Sequence, residues 1–416
     1  MTYGVLPERV LPYPADFAPT YSADFALTDT SVATNMARAE GTTTLAFSVS
    51  KKRPARVFFV ALIVSILYFA LFPYPLGREI VARPVWSVTL PDPGSPQPSN
   101  PRGASVSAPD SAKAIAAPFQ LGDLFGFAAA NGDILYAEKT LFRVALSQAG
   151  FVNYTRLGMN WMLQNVRGAR VISFSGYGYP LLSSDGGRIF VVKADLSGII
   201  ELDRAGDVIW SRDFPAMLTT VSVPGDSLLV GLLNGTLLLL NGRGSPVYEH
   251  VMGGSRLPVI LGAVVSADGS LMASVSGIAP QFLTVLRRQG TGFGEIAKEV
   301  LASDFRREVR MSFSPDSRYL LIEGERAAGM FDPAAARLAW LPLSGGLADV
   351  SFPGSGRLAA MAARDGTLVE LRILRPFTAP ILKETFTAQQ LFLGTVEGDL
   401  LLGLDGRLLR IGLEAL

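Results

Sequence analysis

Asn234-Gly235-Thr236-Leu237-Leu238-Leu239-Leu240 is a hairpin turn followed by a short apolar strand. Asn-Gly supplies the positive φ angles that a tight antiparallel hairpin needs. The unit recurs as Ser197-Gly198-Ile199-Ile200-Glu201-Leu202-Asp203, as Asp365-Gly366-Thr367-Leu368-Val369-Glu370-Leu371 and as Asp405-Gly406-Arg407-Leu408-Leu409-Arg410-Ile411. Short Leu-rich and β-branched strands, with turns roughly every 8–12 residues and no helical period, mean antiparallel β structure.

A second kind of turn sets a longer period. It runs through Asn131-Gly132-Asp133-Ile134, Asp185-Gly186-Gly187-Arg188-Ile189, Pro224-Gly225-Asp226-Ser227-Leu228, Asp268-Gly269-Ser270-Leu271, Pro315-Asp316-Ser317-Arg318-Tyr319, Pro353-Gly354-Ser355-Gly356-Arg357-Leu358 and Glu397-Gly398-Asp399-Leu400. From Ile189 onward the strand starts lie 39, 43, 48, 39 and 42 residues apart. The first interval, 55 residues, implies an insertion near Met159–Arg170. A period of about forty residues with four strands per unit is the mark of propeller blades. The fold expected is all-β: a β-propeller of about seven blades over residues 119–416, with six or eight as the alternatives. The blades run over 122–158, 170–214, 219–251, 257–300, 308–343, 347–386 and 389–416. The last unit has three strands, and residues near Ala114–Gln120 are positioned to add the fourth, which would leave no open edge.

Phe313-Ser314-Pro315-Asp316-Ser317-Arg318-Tyr319-Leu320 resembles the strand-turn-strand signature of WD40 and TolB-type propellers. Gly198-Ile199-Ile200-Glu201-Leu202-Asp203-Arg204-Ala205-Gly206-Asp207-Val208-Ile209-Trp210 resembles the repeat of quinoprotein-like propellers, among them the outer-membrane assembly lipoprotein type. The resemblance covers residues 119–416 and implies a propeller. Quinoprotein dehydrogenases imply a quinone with Ca²⁺, often over a vicinal cysteine pair, whereas this chain has no cysteine and shows no Asp/Glu/Asn grouping with metal-ligand spacing. No cofactor is expected. Without cysteine the chain also departs from the lipoproteins, whose lipid is carried on one.

Upstream, Val57 to Leu76 reads VFFVALIVSILYFALFPYPL, without a charge. Twenty helical residues span about 30 Å, a bilayer core. Lys51, Lys52, Arg53 and Arg56 precede the run, while only Arg78 and Arg83 follow closely. The positive-inside rule then gives a single-pass anchor in the cytoplasmic membrane, N-terminus inside and propeller outside, periplasmic in a bacterium. A cleaved signal peptide is the competing reading, with an n-region of over fifty residues against it. Residues 1–50 read as a disordered cytoplasmic tail, 51–76 as basic flank and transmembrane helix, and 77–118 as an extracytoplasmic linker, with eight prolines between Arg83 and Pro118.

The composition narrows function. A net charge of +1 argues against a nucleic-acid partner. The single histidine, His250, removes most routes to catalysis at neutral pH and is expected on the surface of an outer strand. The function expected is a membrane-anchored, non-enzymatic scaffold binding protein partners in the cell envelope. The alternative is an enzyme or small-ligand sensor using the central channel, with Asp203, Asp226 and Asp316 as its carboxylates; turn capping is the plainer role for these. Two sets of residues are candidate partner contacts. In the tail, Ala15-Asp16-Phe17-Ala18 recurs as Ala23-Asp24-Phe25-Ala26, so Asp16, Phe17, Asp24 and Phe25 form a bivalent docking motif for a cytoplasmic partner, or else a local duplication. In the propeller, Tyr177 and Tyr179 stand among glycines in Ser173–Pro180, either as a contact loop or as a Gly-rich strand filling space.

Overall fold

The computed structural model describes residues 80–91, 116–223 and 225–415, together with Leu62. The tail residues Asp16, Phe17, Asp24 and Phe25 lie outside the described residues, as does the apolar run 57–76 apart from Leu62. Among the described residues no helix is long and apolar enough to cross a membrane.

The described strands form eight antiparallel sheets, so the propeller has eight blades, not seven. Blade 1 consists of Ala116–Leu121, Leu124–Ala129 and Ile134–Lys139. Blade 2 runs from Arg143–Leu146 to Arg170–Ser173, blade 3 from Gly178–Leu182 to Val208–Asp213, and blade 4 from Leu218–Ser222 to Pro246–Val251. Blade 5 runs from Leu257–Val265 to Gly292–Leu301, blade 6 from Met311–Phe313 to Arg337–Pro342, and blade 7 from Gly346–Ser351 to Pro380–Thr387. Blade 8 joins Leu391–Val396, Asp399–Leu404 and Arg407–Ala415 to a strand from far upstream, Ile80–Thr89.

That last strand corrects the expected closure. Ile80–Thr89, placed by sequence in the linker, pairs with Arg407–Ala415 from Ile80 opposite Ala415 to Thr89 opposite Arg407. Ala116–Leu121 belongs to blade 1 instead. Proline misled the reading: Pro84 sits at a bulge on the outermost strand of the blade, a position that needs no amide donor. The expected insertion near Met159–Arg170 is also ordinary blade structure, the third and fourth strands of blade 2, Met162–Asn165 and Arg170–Ser173.

Burial explains the sequence pattern. Leu228–Leu232 and Thr236–Leu240, the middle strands of blade 4, are buried at every residue because a neighbouring blade covers each face. The outer strands Val208–Asp213 and Pro246–Val251 are covered less and read as mixed. The buried apolar residues form eight clusters, one at each blade interface. The cluster between blades 8 and 1 holds Leu90, Phe119, Phe392 and Leu401, with Trp86 and Val88 packed against it, and it closes the ring. Three blades also hold a largely buried arginine–carboxylate pair, Arg188 with Glu201, Arg372 with Glu370 and Arg410 with Asp399, and in blade 6 the exposed Arg307 pairs with the buried Glu323.

Candidate functional site

First strands line the channel, and successive turns alternate between the two ends of the ring. In blades 2 to 8 the turns between second and third strands lie on one face, called upper here, with the connections between blades. First-to-second turns lie on the lower face. Three of the lower turns share one device. Ser183, Ser266 and Ser314 each donate from Oγ to an aspartate two residues on, at 2.6 Å, and accept the amide of Arg188, Leu271 or Tyr319. Asp316 thus caps its own turn, and Asp203 caps another by accepting the amides of Ala205 and Asp207. Asp226 is exposed in its turn. These three carboxylates do not converge on a channel site.

The upper face carries a run of exposed apolar side chains on adjoining loops. Leu141 (67% exposed) and Phe142 enter blade 2, and Leu157 (64%) and Met159 sit between its second and third strands. Tyr177 (66%) leads into blade 3, Met217 into blade 4 and Leu257 into blade 5, and Leu233 joins the middle strands of blade 4. The loops are held by their own hydrogen bonds. The Gly178 amide donates to Gly158 O at 2.9 Å, and the Asn160 amide donates to Gly176 O at 3.1 Å. The Trp161 indole donates to Gly178 O at 3.0 Å, with its ring stacked 4.7 Å from Phe174. The Leu233 amide donates to Met217 O at 2.9 Å, and Gly235 lies against Pro258. Single exposed apolar residues are ordinary; eight on one face, along neighbouring loops over blades 2 to 5, form a surface fit for a partner.

At the mouth of the channel the first strands present charge. Glu308, just ahead of blade 6, accepts a hydrogen bond from Thr220 Oγ1 of blade 4 at 3.2 Å, reaching past blade 5. Burial pushes its carboxyl up to about 7, with the Thr220 hydroxyl and the charges of Arg143 and Arg310 working in the opposite direction. Asp349, in the first strand of blade 7, is likewise raised by burial. It accepts the Leu393 amide of blade 8 at 2.7 Å and lies 3.8 Å from Arg310. These groups tie the first strands of blades 4, 6, 7 and 8 together. Among the described residues no group of three His, Asp or Glu side chains is placed to hold a metal ion.

Glu308 carries a pH prediction. Its folded pKa, about 7, lies above its ordinary 4.5, so the native state holds a proton that the unfolded chain releases between those values. Its stabilising contribution is full below about pH 4.5 and lost as pH rises through 7. Glu308→Gln should match the natural chain at pH 4 and exceed it at pH 8 by about 1–3 kcal/mol in urea unfolding. Equal pH profiles for the two proteins would show that Glu308 is not desolvated.

Of the sequence-predicted contacts, Tyr177 stands on the exposed surface and pairs by backbone with Met159. Tyr179 does not join it. It is half-buried and packs into the cores on both sides of blade 3, with its ring 6.3 Å from Tyr154. His250 lies in the outer strand of blade 4, its ring parallel to Tyr248, away from the channel. Sequence reasoning missed Glu308, Asp349, Leu141, Met217, Leu233 and Leu257. An acidic residue inside the short strand Gly346–Ser351 was the one available signal, since a carboxylate there must face the channel or be buried.

Comparison with known proteins agrees with this architecture. A protein of Treponema pallidum (strain Nichols), itself uncharacterized, is 20% identical over 372 residues, covering 89% of this chain and 97% of its own length. BamB from Moraxella catarrhalis superposes with a TM-score of 0.54 at 16% identity, over 80% of this chain and 99% of BamB. The computationally designed protein Ika8 superposes with a TM-score of 0.52 at 12% identity, over 73% of this chain and 97% of its own. At such identities the two structures speak for the fold alone. The family described as beta-propeller protein matches residues 48–416, and this chain belongs to it.

Proposed function

We propose that this propeller is a non-enzymatic protein-interaction scaffold of the cell envelope, whose partner docks on the apolar upper face of blades 2 to 5. The observation that carries this reading is the set of exposed Leu141, Leu157, Tyr177 and Leu233 side chains on hydrogen-bonded loops. A rigid, loop-lined surface of this kind loses little entropy on binding. The propeller fold shared with BamB from Moraxella catarrhalis fits the reading. The run 57–76, with its four preceding cations, anchors the protein in the cytoplasmic membrane with the propeller outside. The repeat at Asp16-Phe17 and Asp24-Phe25 serves a second partner in the cytoplasm.

The test replaces Leu157, Tyr177 and Leu233 by Ser in the full-length protein and compares what co-purifies from native membranes. All three are exposed, so the melting temperature should stay within about 2 °C while partner recovery falls at least tenfold. Unchanged recovery would refute docking at this face. The anchor is tested separately: alkaline carbonate should leave the protein in the membrane pellet, and its release would remove the single-pass assignment.

A further inference from the structure

The loops entering blades 2 to 5, with the turns between second and third strands in those blades, make the upper surface on which the exposed apolar side chains stand. Counted with the strand residue at each end, they hold five basic residues, Lys139, Arg143, Arg156, Lys193 and Arg256, against two acidic ones, Asp195 and Asp213. The lower turns of the same blades, counted the same way, are balanced: Asp185, Asp203, Asp207, Asp226 and Asp268 offset five arginines. The excess of positive charge therefore lies on the upper side of these blades, in a chain whose net charge is only +1.

Part of that charge is matched within the chain. Lys193 pairs with Asp213, and Lys139 lies 3.4 Å from Asp123. Asp195 accepts the amide and the hydroxyl of Ser197. Arg156 and Arg256 are exposed, and among the described residues neither is in an ion pair. Each stands immediately before an exposed leucine, Leu157 and Leu257. Arg143 follows the exposed Phe142, with its guanidinium 5.6 Å from the centre of that ring. The carboxyls at the mouth of the channel, Glu308 and Asp349, belong to blades 6 and 7, and burial pushes both up, which lessens the negative charge there.

Arginine beside an apolar anchor is the composition of interface hot spots. A guanidinium grips a carboxylate through two parallel hydrogen bonds, as Arg188 grips Glu201 within blade 3. A basic or uncharged partner would set like charge against Arg156 and Arg256 or bury them without an acceptor. We propose that the segment docking on the upper face of blades 2 to 5 belongs to an acidic, apolar partner protein. Its carboxylates meet Arg156 and Arg256, and its apolar side chains meet Leu157, Tyr177, Leu233 and Leu257. This rests on the docking reading above and adds the chemistry of the partner. An anionic lipid surface offers the same charge but gains only about 1 kcal/mol from each cation, whereas a protein segment adds directed bidentate pairs to its apolar contacts.

A photoreactive residue placed at Leu157 or Leu257 of the full-length protein in native membranes, with peptide mapping of the adduct, tests this. The crosslinked peptide of the partner should carry carboxylates beside apolar residues and a net negative charge. Adding Arg156→Glu and Arg256→Glu should lower the adduct yield at least about tenfold, while Arg156→Lys with Arg256→Lys retains more of it. Both arginines are exposed, so the melting temperature should stay within about 2 °C. A crosslinked peptide without excess acid, or a yield unchanged by charge reversal, would overturn the proposal and leave docking at this face standing. Adducts to lipid alone would overturn it in favour of a membrane surface. No adduct from either position, together with unchanged partner recovery in the Leu157, Tyr177 and Leu233 serine variant, would remove the docking reading itself.

Discussion

Replacing residues 80–89 by an equal length of Gly-Ser in the full-length protein should abolish the cooperative thermal transition or lower it by more than about 15 °C, and should yield soluble aggregates. The strand pairs along Arg407–Ala415, and Trp86 donates its indole N–H to Ala130 O of blade 1 at 2.8 Å. Trp86 and Val88 pack into the interface between blades 8 and 1, and Leu90 follows into the same cluster. Full burial of an apolar side chain contributes about 1.5–3 kcal/mol, and Trp86 and Val88 are half-buried, so these two contacts contribute about 2–3 kcal/mol; losing them together with the whole strand ladder and the Trp86 hydrogen bond takes a large part of a total of about 5–15 kcal/mol. The exposed ladder of Arg407–Ala415 then pairs with other molecules. The same replacement over residues 92–101 should leave the transition within about 2 °C. A propeller that tolerates the first replacement is closed in some other way.

Glu201→Ala should cost about 3–5 kcal/mol in urea unfolding. Arg188 donates from both Nε and Nη2 to Glu201 at 2.7 Å, and both side chains are largely buried. The guanidinium also lies 4.7 Å from the centre of the Phe190 ring, and its Nη1 is buried without a partner. Removing the carboxylate therefore leaves a desolvated cation with no acceptor, which costs more than the pair gains when intact. The double variant Arg188→Met with Glu201→Leu should recover most of the loss. If the single change costs under 1 kcal/mol, the pair is solvated in solution.

The blade architecture was legible because every middle strand must be apolar on both faces and every tight turn needs its Gly, Asn or Asp. The blade count was not. Six of the seven turn signatures join first to second strands, but Asn131-Gly132-Asp133 joins the last two of the three described strands of blade 1, and blade 2 turns at Ser147-Gln148-Ala149-Gly150 without an Asp-Gly. The interval of 55 residues thus concealed a blade whose strands are short and partly polar, such as Arg143–Leu146 and Met162–Asn165. Closure was hidden for a different reason: Ile80–Thr89 meets its partner more than 300 residues away, and no local signal records such a pairing. Of the upper face, Tyr177 was legible as an exposed aromatic among glycines. Tyr179 shares that context and differs only in pointing into the core, which depends on the register of Gly178–Leu182. Glu308 and Thr220 carry no motif; they lie 88 residues apart, on either side of blade 5, and meet only in the folded ring.

Site-specific photocrosslinking in native membranes tests the central claim most directly. A photoreactive residue would be placed in turn at Tyr177 and Leu233 on the upper face, and at Val247 and Val300 on outer strands. All four positions are exposed. The account predicts the same discrete protein adduct from Tyr177 and Leu233 and none from Val247 or Val300. Adducts from the outer strands alone, or none from any position, would contradict it.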